Sequence, residues 1–252
     1  MNLCFVDLSG VDCVLTTART APLGGMQSAM FNLAAELVRL GHRITVLNRT
    51  SRPGLYEGID CRAIDGGCSA ETFANFDVVV SISCDGHFLR GMGVRCPLVL
   101  WTGHNCDEPS VQKLSDPDEV RTWNRLVLKS QVQASEFIGK FDLDPQMVHI
   151  IGNAVSPFVA RKKLARKYFF DTGAPPRLIY TSTPFRGLDV LIDAMPLIRS
   201  GIPGCTLDVY SSMKVYQKAD GAEFMGLYER CRRTEGVTYH GSVNQPELAD
   251  AM

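Results

Sequence analysis

The sequence predicts an α/β protein of two domains, each built around a mostly parallel sheet, and three observations carry that expectation. Short apolar runs alternate with segments of helical period, the pattern of successive βαβ units. The alternation comes in two sets, one ending at Ile151 and one starting at Arg177. Between them lie Ser156-Pro157-Phe158, the basic run Arg161-Lys162-Lys163 and the turn-rich Asp171-Thr172-Gly173-Ala174-Pro175-Pro176, a composition that suits a connection. The expected division is a first domain over 1–155, a connection over 156–176 and a second domain over 177–252. A chain of 252 residues is long enough to bury two modest cores.

Taken in order, the strands of the first set are expected at 3–8, 43–48, 59–64, 77–82, 98–102 and 147–151. The second set supplies strands at 177–182, 206–211 and 237–240, with helices at 188–199 and 222–233 between them. The clearest helix precedes the second strand: Met30, Leu33, Ala34, Leu37 and Leu40 recur at three-and-four spacing, and Gly41 follows as a stop. Just before it stands Pro22-Leu23-Gly24-Gly25, which delivers backbone N–H groups to the positive end of a helix dipole.

Composition narrows the function classes. Lys and Arg number 26 against 27 Asp and Glu, so no strong field points to nucleic acid as a partner. The nine cysteines are scattered, odd in number and never spaced C-x-x-C, which supports neither a metal site nor a disulfide framework. Several lie in apolar stretches such as NLCFVDL, where a free thiol is a small core residue. A reducing, cytoplasmic compartment is the expectation. The chain opens on Asn2-Leu3-Cys4-Phe5-Val6-Asp7 without a basic leader, and no apolar run approaches the ~20 residues of a membrane span. Neither export nor a span is expected, while peripheral membrane contact stays open. No Gly-x-Ser-x-Gly elbow occurs, and no carboxylate pair is singled out for hydrolase chemistry.

The chemistry-bearing segments start at Gly24 and Gly25, where the absence of a Cβ lets a phosphate or sugar approach the backbone, although such a turn also serves a purely structural end. Read with Met26-Gln27 and with Leu40-Gly41-His42-Arg43-Ile44-Thr45-Val46, this loop resembles the N-terminal signature of glycosyltransferase family 4. In that family the paired glycines lie at an interdomain cleft. Leu100-Trp101-Thr102-Gly103-His104-Asn105 is similar to the loop that carries a cleft-facing histidine, which makes His104 the catalytic-region candidate; the alternative is a loop histidine bonded to nearby backbone. Ser130-Gln131-Val132-Gln133 looks like the family's helix start. Val148-His149-Ile150-Ile151-Gly152-Asn153-Ala154-Val155 looks like the exit from its first domain, with Ala154 in the place of a usual glycine.

Leu178-Ile179-Tyr180-Thr181-Ser182-Thr183-Pro184-Phe185-Arg186-Gly187-Leu188 resembles the opening of the family's donor-binding domain. The common form carries two cations aimed at the donor diphosphate. Arg186-Gly187 keeps the second, and Ser182 or Thr183 occupies the place of the first. Guanidinium suits phosphate because it offers forked donors beside helix-start N–H groups. Ser182 and Thr183 either donate hydroxyls to the ligand or cap the helix. Gly241, after the last strand, either approaches the nucleotide or makes a turn.

The resemblance implies a fold of two Rossmann-like domains (GT-B type) with the second incomplete. It also implies a nucleotide-sugar donor, transfer with retention to an unidentified glycan, lipid or protein acceptor, and neither a cofactor nor a bound metal. A sugar-nucleotide epimerase of similar architecture and a non-catalytic binding module are the competing readings. Family members continue past the point equivalent to Met252 into an E-x7-E segment whose carboxylates contact the donor, so a partial reading frame with little turnover is expected. Reading the source DNA beyond the codon for Met252 tests this: an in-frame continuation with that carboxylate pair is expected, and an immediate stop codon sinks it.

Overall fold

The computed structural model describes residues 1–64, 68–162 and 168–252, so Lys163 of the basic run and part of the expected connection lie outside it. The chain forms two compact units, Met1–Thr16 with Gly25–Ser156, and Thr17–Gly24 with Pro157–Met252. In the first, strands β1 (Asn2–Val6), β2 (Arg43–Asn48), β3 (Gly54–Tyr56), β4 (Ile59–Ala63), β5 (Val78–Ser81), β6 (Leu98–Trp101), β7 (Arg125–Leu128) and β8 (Val148–Ile150) make one sheet. Its order is β3-β4-β2-β1-β5-β6-β7-β8, and every pair is parallel except β3 with β4. In the second unit β9 (Arg177–Tyr180), β10 (Thr206–Tyr210) and β11 (Val237–Gly241) form a parallel sheet in the order β11-β10-β9. The helices are α1 (Thr17–Thr20), α2 (Gly25–Arg39), α3 (Ala70–Phe73), α4 (Gly86–Gly91), α5 (Pro117–Thr122), α6 (Gln131–Phe141), α7 (Pro157–Ala160), α8 (Phe169–Thr172), α9 (Leu188–Gly201), α10 (Ala222–Arg233) and α11 (Gln245–Ala251).

β1 and β2 read as nearly continuous apolar runs because a parallel sheet covered on both faces buries every residue of its central strands. Cys4, Phe5 and Val6 of β1 are buried, as are Val46 and Leu47 of β2. Leu3 pairs with Ile44 on one edge and with Val78 on the other, which places β1 at the centre. α2 closes with Gly41 at φ 85°, where Gly41 N–H bonds Val38 carbonyl at 2.9 Å and His42 N–H bonds Leu37 carbonyl at 3.0 Å. That double bond to the last turn is the glycine stop expected from sequence.

The expected stripe on this helix is rotated. α2 buries Gln27, Ser28, Met30, Phe31 and Ala34, whereas Leu33 and Leu40 are exposed. Gln27 belongs to the inner face because its amide bonds Asp7 and Ser9, so a pattern read from hydrophobicity alone passes over it. Two strands also went unread. β3 is a three-residue edge element joined to β4 by Glu57-Gly58, both with positive φ (49° and 87°), which matches the right-handed twist of a hairpin. Gly58 has a second constraint, since a Cβ there would lie 2.8 Å from Val38 Cγ1. β7 is only four residues long, with Leu126 and Leu128 buried between neighbouring strands.

Polar groups lock the loops of this unit. Glu119 is 2% exposed and accepts bonds from Gly86 N–H (2.5 Å), His87 N–H (3.0 Å) and Trp123 Nε1 (3.0 Å), so one carboxylate closes the amino end of α4. Arg90, at the other end of α4, donates to the carbonyls of Thr122, Val94 and Cys96 and to Asn124 Oδ1. Asn124 Oδ1 in turn accepts from Leu98 N–H at 2.8 Å, which ties this clamp to the start of β6.

In the second unit α9 and α10 supply Leu188, Ile192, Met195 and Cys231 to a core with Leu207 and Val209 of β10. The other side chains of that sheet include Arg177 and His240, which both bond Asp208, while His240 stacks on Tyr210 at 4.4 Å. All nine cysteines are free thiols. Among the described residues no helix is long and apolar enough to cross a membrane.

Glu119→Leu would leave three N–H groups without their acceptor in a buried place. The expected cost is about 3 kcal/mol of unfolding free energy, measured as a lower urea midpoint for the first unit. An unchanged midpoint would show that α4 does not depend on the carboxylate.

Candidate functional site

Parallel strands joined by crossovers bring all their carboxyl ends to one edge of a sheet, and loops at that edge carry ligands in open α/β folds. In the first unit the strand order reverses between β1 and β5. There Asp7, 1% exposed, accepts from Ser9 N–H at 2.8 Å and from Gln27 Nε2 at 3.0 Å. Ser83 Oγ accepts from Leu8 N–H at 2.9 Å, joining the ends of the two strands. Gly25 is the first residue of α2, is exposed, and has open space where a Cβ would point; Gly24 before it is buried and belongs to the second unit. The hydroxyl of Ser28 in the first turns of α2 is buried without a hydrogen-bond partner.

His104 stands at the carboxyl end of β6, and three bonds hold it. Its N–H donates to Thr102 Oγ1 at 3.2 Å, its carbonyl accepts from Gln133 Nε2 at 2.7 Å, and its Nδ1 lies 2.6 Å from Glu108 Oε2. Gln133 sits in the first turn of α6, whose N-cap Ser130 accepts from Gln133 N–H at 3.1 Å. The Gln133 side chain also accepts from Lys129 N–H at 2.6 Å, so it couples the β7–α6 turn to the His104 loop. Gly103 permits the close approach, because a Cβ there would fall 1.9 Å from Lys129 Nζ.

In the second unit Thr183, Arg186 and Gly187 come together in one turn ahead of α9. Arg186 N–H bonds Thr183 carbonyl at 3.1 Å, and Tyr180 hydroxyl donates to the same carbonyl at 2.7 Å. Gly187, at φ 82°, is the N-cap of α9, and no side chain caps that helix end. Neither Ser182 nor Thr183 is therefore its cap. Arg186 is exposed, its guanidinium 5.9 Å from the Phe185 ring, and no carboxylate pairs with it among the described residues. Thr183 Oγ1 after β9, Ser211 Oγ after β10 and Ser242 Oγ after β11 are all buried without a partner. Gly241 ends β11 at φ 75° with open space beside it.

The loop after β10 is fastened by Asp220, which accepts from Ser212 Oγ (2.9 Å), Met213 N–H (2.8 Å) and Tyr228 hydroxyl (2.9 Å). Burial alone would raise its pKa, but these donors outweigh it and hold the carboxyl below the usual value. Burial and the Asp220 bond push the Tyr228 phenol well up.

Solved structures share this architecture. A glycosyltransferase from Rickettsia africae matches 98% of the chain over 70% of its own length, with TM-score 0.60 and 13% identity. HepE of Anabaena, solved with UDP and glucose, matches 98% over 71% of its length, with TM-score 0.60 and 16% identity. Sucrose-phosphate synthase of Thermosynechococcus elongatus matches 99% over 72%, with TM-score 0.59 and 15% identity. The fold is that of GT-B glycosyltransferases. No protein-family model matches the chain, and no curated protein matches it in sequence.

Sequence reading singled out His104, Arg186 and the glycines but passed over Asp7, Glu108, Ser211 and Ser242. A carboxylate closing the run NLCFVD was a usable signal for Asp7. Nothing in sequence marked Ser211 or Ser242, whose importance lies in having no partner.

The depressed Asp220 pKa sets an acid limit for the second unit. Since the folded value lies below that of the unfolded chain, ~3.9, the clamp contributes fully above the unfolded value and is lost as pH falls through the folded one. Asp220→Asn is therefore expected to be less stable at neutral pH and to show a flatter acid limb in thermal melts recorded between pH 6 and pH 3. Parallel acid limbs in the two proteins would contradict this.

Proposed function

We propose that the chain is a nucleotide-sugar-dependent glycosyltransferase whose second unit holds the donor diphosphate at the amino end of α9. The observation that carries this reading is Arg186, exposed and, among the described residues, without a carboxylate partner, beside a helix start that no described side chain caps. Helix dipole and open N–H groups make such an end a phosphate site, and a guanidinium adds forked donors to the same oxygens. The three unpartnered hydroxyls of Thr183, Ser211 and Ser242 support it, because buried polar atoms left unpaired in a protein await a ligand or a water. HepE, with the same fold, was solved with UDP and glucose.

In this reading the sugar leaves its diphosphate for a hydroxyl of an unidentified acceptor, with retention as the resemblance to family 4 implies. Negative charge grows on the departing diphosphate, and Arg186 with the α9 N–H groups stabilises it where it develops. Gly187 keeps the backbone at positive φ, so that the turn brings Arg186 directly ahead of the helix.

Calorimetric titration with UDP-, ADP- and GDP-glucose tests the donor site. One of them is expected to bind, and Arg186→Ala to weaken it by roughly 10- to 100-fold, the worth of one or two hydrogen bonds to a charged group. Absence of binding by all three, or unchanged affinity in a folded Arg186→Ala variant, overturns the assignment.

A further inference from the structure

We propose that Glu108 is a positioning residue for His104, holding the imidazole in its Nδ1–H form so that Nε2 is presented as a hydrogen-bond acceptor for a sugar hydroxyl. The inference rests on the glycosyl-transfer reading for the identity of the ligand, but the Glu108 geometry stands independently of it. Glu108 Oε2 lies 2.6 Å from His104 Nδ1, and Glu108 Oε1 accepts from Asn105 N–H at 3.1 Å. The second bond fixes the carboxylate plane against the loop backbone. An ionised carboxylate only accepts, so the hydrogen between Glu108 and the ring must sit on Nδ1.

In a neutral imidazole, the other nitrogen then carries the lone pair. Among the described residues nothing bonds Nε2, and the His104 side chain is 34% exposed. The rest of the residue is immobilised through Thr102 Oγ1 and Gln133 Nε2. Gln112 further ties down this turn, donating from its amide to the carbonyls of Cys106 and Glu108. A ring fixed at both backbone groups and at Nδ1 has one free function, to accept at Nε2. That chemistry selects hydroxyl donors, and it disfavours fully ionised phosphate or carboxylate oxygens, which have no hydrogen to give.

Long-range proton–nitrogen NMR of the imidazoles in the 252-residue chain, on the alkaline side of imidazole titration, tests this. His104 is expected to show a protonated Nδ1 and a bare Nε2. Glu108→Ala is expected to move it toward the Nε2–H form that a free imidazole prefers. Glu108→Gln, whose amide oxygen still accepts, is expected to restore the Nδ1–H form, which a purely structural role of the side chain would not predict. Titration with glucose is expected to shift Nε2, and titration with acetate, fully ionised at that pH, to leave it in place. A wild-type ring protonated on Nε2, or an Nδ1–H form that survives in Glu108→Ala, overturns the positioning role. An Nε2 signal that answers acetate, or neither probe, overturns the hydroxyl-acceptor role. None of these outcomes depends on the α9 donor site, whose failure would be seen separately in the calorimetry.

Discussion

Parallel pairing on both edges of a strand is the constraint from which the rest of this molecule follows. β1 bonds β2 on one side and β5 on the other, all in the same direction, so each connection must cross from the carboxyl end of one strand to the amino end of the next. The crossovers cover the sheet faces, which makes the central strands mostly apolar, and they leave the carboxyl ends of the parallel strands on one edge. The three strands of the second unit repeat the arrangement at smaller scale. His104 after β6, and Thr183, Ser211 and Ser242 after β9, β10 and β11, owe their places to this rule before any chemistry is considered.

Carboxylates and amides then hold the edge in shape. Asp7 fastens the first turn of α2, Glu119 closes α4, Gln133 anchors the His104 loop, and Asp220 ties down the loop after β10. The three carboxylates each accept from two or more donors, and Gln133 accepts from Lys129 N–H while donating to the carbonyls of Thr102 and His104, so the cost of burial is met by bonds to groups that would otherwise be orphaned. The contrast with Arg186 is informative. Among the described residues it has no carboxylate partner, only the Phe185 ring 5.9 Å away.

Much of this was legible in the order of residues. The run over 43–48 and the helix over 222–233 match β2 and α10 to the residue, and the glycine stop at Gly41 was read with its mechanism. β3 and β7 were not legible, because three or four residues hold too little pattern to separate a strand from a loop. The inner face of α2 was misjudged for a different reason: Gln27 is buried by its bonds to Asp7 and Ser9, and polarity normally argues the other way.

Sequence by itself determined the α/β class, the two sets of βαβ units, and the residue types at His104, Arg186 and Gly187, since local periodicity, turn chemistry and side-chain identity are properties of short stretches. Only the tertiary structure decided which polar groups find partners. The buried hydroxyls left unpaired at three strand ends, and the lack of a carboxylate beside Arg186 among the described residues, depend on distances between segments far apart in the chain, and the pairing of His104 with Glu108, four residues on, depends on how their loop is held against α6. Hydrogen bonding is satisfied or left open in space, and a linear order of residues carries no measure of that.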